Sequence, residues 1–326
     1  MMDDRLPVMA DVRDAVKRLE GMAVKTPVLE VPWLNEAVGG RVFIKPECLQ
    51  RTGSFKFRGA WNFISQLDPR DHAGGVVAFS SGNHAQGVAA AATMKGLRAL
   101  IVMPSDSPKI KMDNTRALGA EVFTYDRKSQ DRQKVAAEQV EKRQATLVPP
   151  FEHKYIMAGQ GTMSVEIIEW AQENGAEIDQ VLVPTGGGGL MAGTSLVFSE
   201  LSPNTKIHSV EPDYFDDYRR SLEAGKIVSN TQTHGSICDA IMTDRSGELT
   251  FAINQPRLSN GLTVSDDEVR AAMKFAFERL KLVVEPGGVA ALAAILAGKI
   301  DCKNKNTAIV LSGGNVDPEM FAAALV

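Results

Sequence analysis

Three cysteines occur in 326 residues. Cys48, Cys238 and Cys302 are odd in number and widely spaced, which excludes a disulfide framework and a zinc site built on paired thiolates. Basic residues are not in excess either. With 36 Lys and Arg against 40 Asp and Glu, the net charge is -4, and no electrostatic footprint for nucleic acid results. No apolar run approaches the roughly 20 residues of a membrane span. The opening residues include Asp3 and Asp4 and carry no uninterrupted apolar h-region, so a secretory signal is not expected and the cytoplasm is the expected compartment. Internal repeats and low-complexity tracts are absent.

What is present is an ordinary globular composition, 44% hydrophobic and 23% charged. Single cores stop growing at roughly 250–300 residues, so this length predicts two domains with a cleft between them. From residue 74 onward, short β-branched or apolar runs alternate with helical patterns: 75–80, 83–95, 100–103, 109–118, 121–124 and 131–143. The rhythm resumes with a helix over 161–173, a strand over 180–184, a helix over 190–201, and strands over 206–210 and 307–311. Strand, helix, strand in succession implies parallel strands in open α/β sheets. Pro149 and Pro150, with an irregular stretch expected up to Ala158, form the predicted crossing between the domains. Ser265 and Glu268 form a capping box ahead of a helix over 269–281.

Two segments carry the chemistry. Gly186, Gly187, Gly188 and Gly189 directly follow a strand and precede a helix, where backbone N–H groups and the helix dipole can hold one anion. The run lacks the terminal Lys of a nucleotide P-loop, and a tight strand-to-helix turn is the plainer alternative. Lys56 follows Ser54, a good N-cap, and so belongs to the first turn of a helix running to about Leu67. Alone it reads as an exposed helix lysine. A lysine paired with a phosphate cradle suits an aldehyde cofactor that carries a phosphate, pyridoxal 5′-phosphate. Ser80, Ser81, Gly82, Asn83 and His84 close one strand and open the next helix, a place for a substrate carboxylate or for a plain cap with Asn83 as its residue. Ser312, Gly313, Gly314 and Asn315 stand likewise at the end of the strand over 307–311, as a site or as a turn.

Taken in order, Gln50 to Lys56 with Arg58, Gly59 and Ala60, then 80–86, 158–162, 184–190, 284–286 and 311–317, the segments resemble the fold type II pyridoxal phosphate family of serine/threonine dehydratases and serine racemases. The resemblance covers nearly the whole chain. It implies two open, mostly parallel α/β domains with the cofactor in the cleft. Residues 1–52 and 151–326 would form the large domain, 53–150 the small one, and the assembly would be a homodimer. By the same resemblance Lys56 binds the cofactor's aldehyde, Phe55 packs on the ring, and Asn83 hydrogen-bonds the phenolic oxygen. The glycines with Leu190 hold the phosphate, Glu285 lies beside the cofactor, and Ser312 faces the ring nitrogen. A serine there cannot keep that nitrogen protonated, which favours expulsion of a β-substituent. Lys56 is the implied base at Cα. Ser81, on the opposite face in the racemases, keeps racemisation open.

Glu211, the Phe215 carbonyl and Asp217 match a Mg²⁺, Ca²⁺ or Mn²⁺ site of the racemase branch, against the plainer reading of an acidic helix start. The chain departs from the family at Cys238-Asp239-Ala240, where Ala-Asp-Gly is usual, and in a short loop after Glu285 and Pro286. Arg132 aligns with an arginine of the racemase-like members and is a candidate for a second carboxylate, or else a solvated helix residue. The expected function is dehydration and deamination of a β-hydroxy-α-amino acid, 3-hydroxyaspartate first. Serine/threonine dehydration and serine or aspartate racemisation are alternatives on the same residues. A NAD-dependent oxidoreductase, with Lys56 dispensable, and a non-catalytic cofactor-binding protein are alternatives of other classes.

Overall fold

A computed structural model describes residues 6–107, 109–232 and 234–326, without the side chain of Ile110; Asp3 and Asp4 lie outside the described residues. In chain order the elements begin with α1 (Met9–Leu19), α2 (Pro32–Val38), β1 (Arg41–Pro46) and α3 (Lys56–Ile64). There follow β2 (Val76–Phe79), α4 (Asn83–Lys95), β3 (Ala99–Pro104), α5 (Lys109–Ala117), β4 (Glu121–Tyr125), α6 (Arg132–Arg143) and β5 (Thr146–Leu147). Next are α7 (Lys154–Glu173), β6 (Gln180–Pro184), α8 (Gly189–Leu201), β7 (Lys206–Pro212), α9 (Asp217–Ala224) and α10 (Glu248–Asn254). The chain closes with β8 (Asn260–Val264), α11 (Asp266–Phe275), α12 (Ala290–Leu296), β9 (Asn306–Leu311) and α13 (Pro318–Leu325).

The strands form two sheets, ordered β1-β9-β6-β7-β8 and β4-β3-β2-β5, and every neighbouring pair within them is parallel. Parallel sheets covered on both faces need apolar residues on both sides of each strand, and period-2 geometry sends alternate residues to different cores. In β6, Val181 and Val183 enter one core while Leu182 enters another. In β3, Ile101 and Met103 join that first core and Leu100 and Val102 a third. The first core is therefore continuous between the two sheets. Helices α3, α4, α7 and α8 supply much of it.

Several expectations change. Helix α7 begins at Lys154, seven residues before 161, because His153 caps it: its Nδ1 accepts from the Tyr155 N–H at 3.1 Å. The stretch up to Ala158, expected to be irregular, is thus helical from Lys154, and Gly159 and Gly161 are glycines of close helix approach. A Cβ on Gly159 would stand 2.6 Å from the Arg58 carbonyl oxygen in α3, and one on Gly161 2.9 Å from the Gly193 carbonyl oxygen in α8. Ser54 is not the cap of α3. It forms an antiparallel bridge with Gly313, so Phe55 takes the cap position and the helix ends at Ile64. The capping box of Ser265 and Glu268 is formed, but α11 gives way at Ala276–Leu280 to a π turn. Strands β1, β5 and β8 are additional to those expected, and β1 pairs with β9 from the far end of the chain. Cys238 and Cys302 are buried and Cys48 is half-buried, all free thiols.

Candidate active site

Helix α3 carries Lys56 as its first residue, and an ionic cluster holds that helix. Arg58 is 1% exposed. It donates from Nε and Nη2 to Glu47 at 2.7 and 2.8 Å, and from Nη1 and Nη2 to Glu166 of α7 at 2.7 and 2.9 Å. Lys45 of β1 completes the cluster, donating to Glu166 at 2.5 Å and to the Thr26 carbonyl at 2.6 Å. Two cations meet two carboxylates with fork geometry, so the buried charges compensate each other. Arg58 accordingly holds the Glu47 carboxyl below its ordinary value despite the opposing effect of burial.

Lys56 Nζ donates to the Pro150 carbonyl at 2.9 Å and lies 5.2 Å from the centre of the Phe55 ring. Burial lowers its pKa to about 8, with Glu285 acting in the opposite sense. The amine is thus far closer to its neutral, nucleophilic form at physiological pH than an exposed lysine.

Across the cleft, Gly188 has φ of 90° and caps α8, so Gly189 opens the helix. The first N–H groups of a helix have no intrahelical partner. The carbonyls of this loop are tied elsewhere: that of Gly187 accepts from Thr250 Oγ1 at 2.7 Å and that of Gly188 from Asn254 Nδ2 at 3.3 Å. Donors without helical partners at the start of a thirteen-residue helix make an anion cradle. Opposite it, Gly82 caps α4, and Asn83 is the first helical residue, not the cap. Its Nδ2 donates to Glu285 Oε1 at 2.6 Å, and its Oδ1 accepts from Asn315 at 2.7 Å. His84 Nε2 lies 3.0 Å from the Val148 carbonyl. A carbonyl only accepts, so Nε2 carries the hydrogen. Burial and the charge of Lys56 depress the imidazole to about 3. Burial raises Glu285 to about 8.

One cleft gathers these segments. Phe55, Lys56, Ser80, Ser81, Asn83, His84, Arg132, Gly186, Gly187, Gly188, Gly189, Leu190, Glu285 and Ser312 all line it. They come from the segments that follow β1, β2, β4, β6 and β9 and from the segment before α12, largely at strand ends, where open α/β sheets bind ligands. Arg132 is the first residue of α6, capped by Asp131, and its guanidinium stands 5.7 Å from the centre of the Phe79 ring. A lysine of lowered pKa facing a phosphate-sized cradle fits pyridoxal phosphate. The description "Pyridoxal-phosphate dependent enzyme" belongs to the family whose sequence pattern matches residues 19–313.

The chain belongs to this family of pyridoxal-phosphate dependent enzymes. It is 43% identical over 315 residues to an L-threo-3-hydroxyaspartate ammonia-lyase from a Pseudomonas species, covering 97% of each chain. It is 42% identical over 317 residues to a serine racemase of Schizosaccharomyces pombe, again with 97% of each covered. Among solved structures, the processed form of threonine deaminase isoform 2 from Solanum lycopersicum superposes with a TM-score of 0.90 at 32% identity, over 99% of this chain and 92% of that one.

The cleft also contains Lys111, which the sequence did not single out, and Asp239 and Asn315, which it named without assigning a role. Lys111, from α5, lies 3.5 Å from Asp239 and 3.7 Å from Asp317. A lysine on a helix gives no local sign of such a position, whereas Asn315 stood in a segment that could be read as a turn. Of the two family departures, Asp239 and Ala240 line the cleft while Cys238 is buried in the core behind it.

Glu211, Phe215 and Asp217 lie outside the cleft, where β7 leads into α9. Glu211 is fully buried, and its two oxygens accept from the N–H groups of Tyr218 and Arg219 at 2.8 and 2.9 Å. Asp217 Oδ1 accepts from Asn230 at 2.8 Å, but its Oδ2 is buried without a hydrogen bond. Burial and the neighbouring Asp217 push Glu211 well above the usual carboxylate range, and burial raises Asp217 to about 7. The nearest arginines, Arg219 and Arg220, are engaged by Asp216. Among the described residues no cluster of three or more His, Cys, Asp or Glu side chains is arranged for a metal. The Asp217 oxygen without a hydrogen bond is an acceptor that a proton or a hard cation could complete.

Proposed function

We propose that this chain is a pyridoxal phosphate-dependent ammonia-lyase that converts 3-hydroxyaspartate to iminosuccinate, and thence to oxaloacetate and ammonia. The observation that carries the substrate is Arg132. Its guanidinium lines the same cleft as Lys56 and rests on an aromatic ring, so it is available to a second substrate carboxylate. A bidentate, partly desolvated pair of that kind contributes on the order of 1.5–3 kcal/mol, roughly a 10–150-fold preference for a dicarboxylate.

When bound, pyridoxal phosphate supplies the electron withdrawal that makes the substrate Cα acidic. Gly186 to Gly189 and Leu190 would hold its phosphate, Phe55 its ring face, Asn83 and Glu285 its phenolic side, and Ser312 its ring nitrogen. Lys56, whose pKa burial lowers to about 8, would be neutral enough to take the Cα proton. Ser80, Ser81, Asn83 and His84, at the start of α4, receive the α-carboxylate. Ser312 brings no negative charge to the ring nitrogen, which leaves elimination of the β-hydroxyl as the favoured outcome. A racemase is the second reading, supported by Ser81 lining the same cleft as Lys56.

Glu211, the Phe215 carbonyl and Asp217 would hold Mg²⁺, or Ca²⁺ or Mn²⁺ in its place, bracing the start of α9. Domain limits at 1–52 with 151–326 and at 53–150, a homodimer and a cytoplasmic location belong to the same reading. The test is ammonia release by the loaded protein with 3-hydroxyaspartate stereoisomers, serine and threonine, beside Arg132→Ala. A loss of about 10–150-fold confined to 3-hydroxyaspartate sustains the proposal. Preference for serine or threonine, unchanged in the variant, replaces it with a general dehydratase, and formation of the enantiomer without ammonia replaces it with a racemase.

A further inference from the structure

Asn315 joins two other segments of the site. Its Nδ2 donates to the Thr52 carbonyl at 2.7 Å and to Asn83 Oδ1 at 2.7 Å. The two ends of a carboxamide are nearly identical in shape and differ only in what they donate and accept. Here their polarity has a fixed origin. The Thr52 carbonyl is an acceptor under all conditions, so Asn315 must face it with nitrogen. That same nitrogen meets Asn83, which must answer with oxygen. The Asn83 nitrogen is left on the opposite side, toward Glu285 and the cleft.

The turn that aims the carbonyl is built independently of the Asn315 side chain. Thr52 and Gly53 both have positive φ, 59° and 71°. Backbone bonds from Gly314 N–H to the Gly53 carbonyl at 2.9 Å and from Phe55 N–H to the Ser312 carbonyl at 3.1 Å fasten it to the end of β9. A Cβ on Gly53 would stand 2.7 Å from Asn315 Oδ1, so the glycine also leaves room for the amide. Glu285 does not decide the orientation. Burial raises its carboxyl to about 8 and so favours the protonated form, which can either accept from Asn83 or donate to it.

We propose that Asn315 is a positioning residue that fixes which way round the Asn83 amide stands, so that a donor, never an acceptor, is offered to the phenolic oxygen of the cofactor. The inference rests on the cofactor reading above. Without Asn315, the Asn83 amide can turn its oxygen lone pairs toward that anionic oxygen.

The test uses the pyridoxal phosphate-loaded protein and reads its visible absorption band across pH and the Kd of the cofactor. Asn315→Asp keeps the shape and removes the donor; it is expected to shift the band and weaken cofactor binding by about 2- to 13-fold, the range of one hydrogen bond. Asn315→Ala is expected to do the same, and to add nothing in an Asn83→Ala background. A wild-type band and Kd in Asn315→Asp, or an undiminished effect of Asn315→Ala in the Asn83→Ala background, overturns the proposal. If Asn315→Asp fails to fold, the alanine cycle, on proteins with matched thermal melts, decides the matter. Lys56→Ala is run alongside: if it retains the cofactor's lysine-bound visible band, the cofactor reading itself falls, whereas its loss with an inert Asn315 removes only the relay.

Discussion

Two groups of carboxylates withdrawn from the cleft lining are compensated in opposite ways. Around Arg58, the carboxylates of Glu47 and Glu166 are met by Arg58 and Lys45, and Glu47 stays below its ordinary pKa although it is fully buried. At the start of α9, Glu211 and Asp217 are also buried, yet burial raises both, Asp217 makes Glu211 harder still to ionise, and one oxygen has no partner. Burial alone therefore does not say what a charged cluster is for. A closed set of charges fixes two elements against each other. An open set is completed by a proton or by a cation from solution.

The largest expected effect comes from opening the closed set. Arg58→Met leaves Glu47 buried without its hydrogen-bonded cation and Glu166 with Lys45 alone, and should destabilise the chain by about 3–5 kcal/mol in urea unfolding. The deficit should narrow in acid. Glu47 has a depressed folded pKa, so the stability it contributes is present above the ordinary value of 4.5 and is lost as pH falls through the folded one. A deficit under about 1 kcal/mol would make the cluster incidental.

Closing the open set should have an intermediate effect. Mg²⁺ at about 100 times its Kd should stabilise the protein by about 2.7 kcal/mol, seen as a raised Tm. Asp217→Asn should abolish that response, and a Tm indifferent to Mg²⁺ in the wild type would leave protonation as the answer at this site. The smallest effect belongs to charges outside both groups. Arg70 and Asp68, with Arg70 88% exposed, pair at 2.6 Å, and Arg70→Ala should leave the urea midpoint within measurement error. A larger change would mean that pairing geometry, not burial, governs these energies.

Much of this was legible in the sequence where local chemistry and tertiary placement agree. The alternation of apolar runs gave β2, β3, β4, β6, β7 and β9 to within a residue or two but not β1, β5 and β8, and glycine after a strand gave the start of α8. Legibility failed where a residue answers to a distant partner. Ser54 is suited to capping a helix, but Gly313, near the other end of the chain, draws it into a bridge. Asn83 is a good cap as well, yet its amide is claimed by Glu285 and Asn315. Pro149 and Pro150 led to an irregular stretch being expected up to Ala158, whereas α7 begins at Lys154, and the contacts of Gly159 with α3 and Gly161 with α8 are invisible in a local window. Lys111 enters the cleft only because α5 is folded toward Asp239 and Asp317.

The glycines of α7 set a length. On one side Gly159 brings α7 against α3, which begins at Lys56; on the other Gly161 brings it against α8, which begins at the cradle. The span from nucleophile to anion site is thus a property of the scaffold, gauged by one helix diameter and two glycine contacts. Arg132, Lys111 and Asp239 stand outside that gauge. Their side chains can differ without altering the spacing that the two glycine contacts set.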